Sequence, residues 1–402
     1  MGLDSANSTV NSTVNSTVAY DVTQLGAIVQ QLRSPLRLAV IHGGDKTQAG
    51  AVIYPTHNPR STKTYHTVAK DIAEALRELG FEQVSLLADD MTLPQTLKQQ
   101  GIHLAWLNTG GVQGYNPVCH TPALLEMLGV PYLGHNPLNS SILDNKHVFK
   151  RELQALGIAT APFMVAHPFQ GPFNPHSHPQ FERVFGDYRG AFVVKPVSGR
   201  ASVNVFVVDD LEGLGEAVAH IHRLTANTAL IETYLPGREF CISVSGPILY
   251  REGSFQHLST PFAFSAIERV LEPQERIFTS MDAKGMSQER MRLLSGEAAA
   301  ERELRSQLEA IGQEIYRAFN LTSLVRIDLR QDEQGQLYVL EANPKPDLKR
   351  PTAHETSLVA QGLQPYQMSY QDLILSLLGD RLHQLLTHQP HLIPHIQALI
   401  SS

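Results

Sequence analysis

The chain has 402 residues, more than one hydrophobic core usually organises, so two or three packed units are expected. Its 42% hydrophobic and 18% charged residues include no apolar run near the ~18 residues of a membrane span, which argues against a membrane protein. A net charge of -7 gives no reason to expect nucleic acid as partner, and the distant Cys119 and Cys241 form neither a disulfide framework nor a CxxC site, so a reducing cytoplasm is the expected compartment.

The opening "NSTVNSTVNSTV" repeats small polar residues that cannot bury enough surface to offset ordering, and residues 1–34 are assigned to a flexible tail. From "LRLAVIHGG" the pattern becomes strand, glycine turn and the amphipathic "TYHTVAKDIAEALRELG", then the strands "FEQVSLLADD" and "IHLAWLNTGG". This βαβ alternation predicts a parallel-sheet domain over residues 35–140. A second unit, 141–236, opens on one helix in "NSSILDNKHVFKRELQALG" and continues through the strands "AFVVKPVSG", "VNVFVVDD" and "TALIETYLP". The third, 237–402, starts with "EFCISVSG", is expected to form a long polar loop to about residue 296, and then a helix with Leu304, Leu308, Ile311 and Ile315 on one stripe.

After that helix comes "SLVRIDLRQDEQGQLYVLEANPKPDLKR". Alternation on a half-buried strand puts Arg326, Asp328 and Arg330 on one face, and a turn centred on Gln334-Gly335 sets Asp328 opposite Glu341 and Arg326 opposite Asn343. Facing carboxylates repel, so the pair requires either a compensating cation or a merely solvated face. Two acids and an amide suit Mg²⁺ brought with substrate phosphates. Upstream, Lys195 ends an apolar strand before a Gly- and Ser-containing loop, a place where lysine holds phosphate oxygens or is simply a solvated edge charge. In "LIETYLPGREF", Glu232, Tyr234, Leu235 and Glu239 could receive a base and a ribose, or form an ordinary linker strand.

Taken together, lysine, lysine, Glu-x-x-Leu with a later Glu, then Arg-x-Asp and Glu-x-Asn resemble the ATP-grasp superfamily, within it the D-alanine:D-alanine ligase branch, from about residue 36 onward. The resemblance implies an α/β (α+β) ATP-grasp fold: an N-terminal parallel-sheet domain and two α+β subdomains clasping ATP. It assigns Lys146, Lys195, Glu232, Tyr234, Leu235 and Glu239 to ATP, and Asp328, Glu341 and Asn343 to one or two Mg²⁺ ions, for which Mn²⁺ can substitute. Arg326 falls on the oxyanion-stabilising arginine and Ser202, in "GRASVN", on the serine of a mobile loop. Such enzymes phosphorylate a carboxylic acid with ATP and let an amine attack the acyl phosphate; loops around Ser202 and 253–285 are expected to shield that intermediate. The resemblance also implies a homodimer.

The first-domain glutamate that holds an amino acid's ammonium in that branch is replaced by "NPRSTKTYH", with Ser61 between the bases Arg60 and Lys63. That departure points to an acid other than plain D-alanine. Ser357 and Leu358 resemble the pair holding the second substrate's carboxylate; Lys345 has no counterpart but adjoins the metal hairpin, and Arg269 and Arg276 are either γ-phosphate contacts or solvated loop arginines. The expected function is a carboxylate-amine ligase acting on small-molecule acids and amines. The alternatives are a D-alanine:D-alanine ligase of cell-wall synthesis and a catalytically silent ATP-binding regulator.

Overall fold

The computed structural model describes residues 21–54, 63–114, 116–278, 290–294, 296–353 and 356–401. Strands β1 (Arg37–His42), β2 (Gln83–Ala88), β3 (Leu104–Asn108) and β4 (Tyr132–Leu133) form a parallel sheet in the order β2-β1-β3-β4. The inner strands β1 and β3 are short apolar runs covered on both faces, as parallel sheets require, while the edge strand β2 stays partly exposed. Within the stretch expected as a flexible tail, Val22–Leu32 is helical. Asp21 caps this helix through a reciprocal bond with Gln24, and Leu25, Ile28, Val29 and Leu32 bury one face of it.

The predicted single helix of "NSSILDNKHVFKRELQALG" is two, Pro137–Asp144 and Lys146–Ala155. Asn145 is extended and its side chain accepts from Val148 N, ending one helix and capping the next. The break puts Lys146 at a helix start, where its amide donates to the Val197 carbonyl.

A second sheet, antiparallel, orders β5 (Phe163–Ala166), β8 (Ala229–Thr233), β6 (Phe192–Pro196) and β7 (Phe206–Val208). Here Lys195 is buried, on an interior strand rather than at a solvated edge. The third sheet runs β14 (Met291–Leu293), β13 (Ile267–Arg269), β9 (Glu239–Ser245), β15 (Val325–Gln331) and β16 (Leu337–Asn343), with β12 (Phe262–Ala263) also on β9. Much of the long loop expected before residue 296 is therefore strand. Its start is a hairpin, β10 (Ile248–Arg251) with β11 (Ser254–His257), packed on the helix Tyr370–His388, so the shielding loop expected from 253 does not begin there. Residues 279–289 lie outside the described residues.

The β15–β16 register is the one inferred from spacing: Arg326 pairs with Asn343 and Asp328 with Glu341, followed by a bulge between Asp328 and Leu329. β15 is not half-buried, however. Its polar face is as enclosed as its apolar one, Asp328 being 2% and Arg330 3% exposed, because β9 and β16 flank it and the second sheet's residues close over it.

Candidate active site

Glu232 on β8 and Glu239 at the start of β9 organise the charges. Lys195 Nζ is 2.5 Å from Glu232 Oε1, and Lys150 Nζ is 3.0 Å from Oε2. Lys150, one turn after Lys146, is fully buried and also donates to Thr160 Oγ1 at 2.5 Å. Burial works against Lys195, but Glu232, Glu341 and Glu239 outweigh it and hold its ammonium above the usual lysine value. Lys150 goes the other way: burial, with the like charge of Lys195, pushes it down despite Glu232. Glu232 resists its own burial because both lysines keep it below the usual carboxylate range.

On the opposite wall, Arg326 Nε and Nη2 donate to Asp328 Oδ1 and Oδ2 at 2.8 and 3.0 Å. Arg269 bridges Asp328 at 3.1 Å and Glu239 at 2.7 Å. It is thus a buried strand residue, not a solvated loop arginine. Burial alone would lower its basicity, but Asp328 and Glu239 raise it. Lys146 Nζ lies 3.2 Å from Glu341 Oε2. Burial would raise Glu341, yet Lys146, Lys195, Arg269 and Arg326 bring it down to about 2. The facing carboxylates are therefore held by cations of the chain itself.

These residues enclose a cleft of about 780 Å³, between the second and third sheets, lined by Lys146, Lys195, Ser202, Glu232, Tyr234, Leu235, Glu239, Asp328 and Glu341 from the sequence reading. Arg326 stands behind Asp328, and Asn343 pairs beside it with its amide nitrogen buried and unpartnered. Tyr234 contributes its side chain: Arg276 and Arg330 approach its ring at 4.8 and 5.0 Å from the centroid, and its hydroxyl donates to the Arg276 carbonyl. Arg276 pairs with Asp209 beyond β7, tying the two sheets across the mouth. Ala201, Ser202 and Asn204, in the loop over the cleft, hold positive φ of 53°, 55° and 61°, a cost accepted where a loop is shaped by something other than local preference.

Other expected residues are placed elsewhere. Ser357 accepts from Ala360 N as a helix cap, and Leu358 packs with Cys241, Ile267 and Met291. Lys345 lines a different pocket, Lys63 is exposed, and Arg60 and Ser61 lie outside the described residues. Sequence reasoning missed Lys150, whose signal was a lysine on the buried stripe of Phe149 and Leu153, and gave Arg330 no role.

Two carboxylates and an amide form an oxygen-rich set suited to a hard cation such as Mg²⁺. Because lysine and arginine already neutralise both carboxylates, the set fits an ion that arrives with polyphosphate better than a resident one.

A family model described as the D-ala D-ala ligase C-terminus matches residues 153–379. The chain is 27% identical over 319 residues to the uncharacterized protein y4sG of Sinorhizobium fredii, covering 77% of this chain and 86% of that one. It is 27% identical over 322 residues to a D-alanine-D-alanine ligase of a Synechococcus strain, covering 78% and 87%. The D-alanine-D-alanine ligase of Bacillus anthracis solved with ATP superposes with a TM-score of 0.62 at 20% identity over 86% of this chain and 97% of that one. The Coxiella burnetii enzyme gives 0.61 at 18% over 91% and 99%. At these identities the structures establish a shared fold, while the family model spans more than half of the sequence. The ATP-grasp architecture and the family match together place this chain in the D-alanine-D-alanine ligase family.

Proposed function

We propose that the chain is an ATP-dependent carboxylate-amine ligase that makes an amide through an acyl phosphate and takes an acid other than plain D-alanine. The observation that carries this is the charge of the cleft. Lys146, Lys195, Arg200, Arg269 and Arg330 line it against Glu232, Glu239, Asp328 and Glu341, with Lys150 and Arg326 adding positive charge behind. An excess of buried cations favours a polyanion with its developing charge, which is how phosphoryl transfer is catalysed.

In this reading Lys146 and Lys195 hold phosphate oxygens, Glu239 takes the ribose, and the segment Glu232–Leu235 takes the base. Asp328, Glu341 and Asn343 would hold Mg²⁺, which supplies charge neutralisation on the phosphates when bound. Arg326, held by its fork on Asp328 behind the cleft wall, would stabilise the oxyanion of the amine adduct. The Ser202 loop and residues 271–278, from which Ile277 and Phe278 line the cleft, exclude water from the acyl phosphate. The units performing this are 35–140, 141–236 and 237–402, working in the cytoplasm as a homodimer.

Release of ADP from MgATP with panels of acids and amines tests the proposal. Glu341→Gln keeps the side chain's size and should lower turnover at least about a hundredfold in protein that still folds, as circular dichroism checks; a fully active variant refutes the metal assignment. The curated relatives named as D-alanine-D-alanine ligases favour a second reading, with that activity, and robust turnover of D-alanine alone would establish it.

A further inference from the structure

The second sheet ends on β5, whose free edge is the floor of a groove of about 1170 Å³ between the helices Lys146–Ala155 and Pro179–Phe185. A further groove of about 770 Å³ shares Val165, His167 and Gln180 with it, so the two run on together along the strand. No residue lines both this groove and the ATP cleft.

The edge is open to pairing. The Pro162 carbonyl accepts from Thr233 N, and the register continues with Phe163 opposite Glu232 and Val165 opposite Leu230. Alternation along an antiparallel ladder then gives the bonds with β8 to residues 162, 164 and 166, and turns the N–H and C=O groups of Phe163 and Val165 outward into the groove. Among the described residues no other strand takes them. Edges are ordinarily blunted by a charge on the strand or by a bulge, whereas β5 reads Phe-Met-Val-Ala and pairs in unbroken register.

Both walls are basic. His147 and Arg151 come from one helix, Arg183 from the other and His167 from the end of the strand, and no aspartate or glutamate lines either groove. Arg151 and Arg183 are exposed, and neither makes an ion pair with a described residue. Burial, then the like charges of Arg151 and His167, hold the His147 imidazole below its usual value, as in a field of crowded cations.

We infer that this edge docks an extended acidic segment of another protein, added as a fifth strand beside β5 with its carboxylates directed to Arg151 and Arg183. Residues 162–167 offer about 20 Å of strand, room for about six partner residues. Main-chain pairing supplies the affinity and the arginines supply the preference for acid. The outward carbonyls have nothing to offer a polyphosphate, which brings acceptors only, while a peptide brings donors and acceptors at the spacing of the edge. The inference does not draw on the ligase reading.

Fluorescence anisotropy of the full chain with a labelled peptide of sequence DEVTVED tests it, with a Kd of about 100 μM or tighter expected. Arg151→Glu combined with Arg183→Glu should weaken binding at least about tenfold, with circular dichroism checking the fold. A peptide N-methylated at the central threonine and the valine after it, so that one methyl meets β5 in either register, should bind at least about tenfold more weakly to the parent chain. No binding, equal binding of the N-methylated peptide, or indifference to the two reversals, as expected of a peptide held in the ATP cleft, overturns the inference. Tripolyphosphate displacing the label at lower concentration than unlabelled peptide would make the groove a polyanion site, and a dimer of the parent chain that the reversals dissociate would give the edge to a second copy; either result also overturns it. If the double variant fails to fold, the N-methylated peptide still decides.

Discussion

Among single residues, Lys150 best shows why the cleft is charged as it is. It does not line the cleft, yet it shares Glu232 with Lys195, and its own ammonium is disfavoured by burial. Lys150→Met keeps the length and removes the charge. Removing a partner from a buried pair often costs about 3–5 kcal/mol, but here Lys195 still compensates Glu232, so about 2 kcal/mol is expected in urea unfolding. With one lysine fewer, Lys195 is drawn more tightly to Glu232 and less toward phosphate, so ATP affinity should fall several-fold. Unchanged ATP binding in the variant would make Lys150 purely structural. The facing of Asp328 with Glu341 and of Arg326 with Asn343 was legible from strand alternation, while Lys146 and Ser202 entered only through the family resemblance. Lys150 was not legible, since nothing in a local pattern says that a helix stripe will meet a carboxylate eighty residues later. The same holds for Arg269, whose strand β13 is three residues long and is defined by its pairing with β9 and β14.

At the scale of elements, legibility followed burial. Strands buried on both faces and helices with one polar face were readable, and the β15–β16 hairpin was readable down to its register. The strands between 248 and 269 were not, because each is two to four residues long and pattern needs length to show. The helix Tyr370–His388 is enclosed nearly all round, so it lacks the polar stripe that marks an amphipathic helix. Gly379 in its middle has a tertiary reason. Replacing a mid-helix glycine by alanine ordinarily stabilises by about 1 kcal/mol. Here the added Cβ would overlap the Phe255 ring of β11, and overpacking of that kind costs about 1–3 kcal/mol. Gly379→Ala should therefore lower the urea midpoint, and a rise would mean that the hairpin yields freely.

Across the whole molecule, one hydrophobic cluster joins the N-terminal sheet, the β10–β11 hairpin and the C-terminal helix, with Leu38, Val40 and Trp106 in the same body as Ile248, Leu249, Leu378 and Leu382. The ion pair of Arg350 with Glu78, at 2.6 Å, and Arg381 Nε donating to the Tyr132 carbonyl at 2.7 Å reinforce that join. The N-terminal layer is thus anchored on the C-terminal helix, leaving the charged cleft between the other two sheets. Asp380 lies in this join, accepting from Ile248 N at 3.2 Å and from Gln384 Nε2 at 2.8 Å, and a side chain at Gly246 would displace it. Burial raises its carboxyl from 3.8 to about 7, despite these bonds and the neighbouring Arg381. Between those values the folded chain binds a proton at this site and the unfolded chain does not, so stability falls as pH rises through the interval, by at most about 1.4 kcal/mol per pH unit. Asp380→Asn removes the titration and keeps one acceptor. Urea midpoints measured from pH 5 to 8 should decline more steeply for the parent than for the variant, the difference closing above pH 7. Histidines held neutral by burial, such as His135, slope the other way below pH 6.5 in both proteins and cancel in the comparison. Parallel profiles would mean that Asp380 stays ionised in the fold, compensated by Arg381.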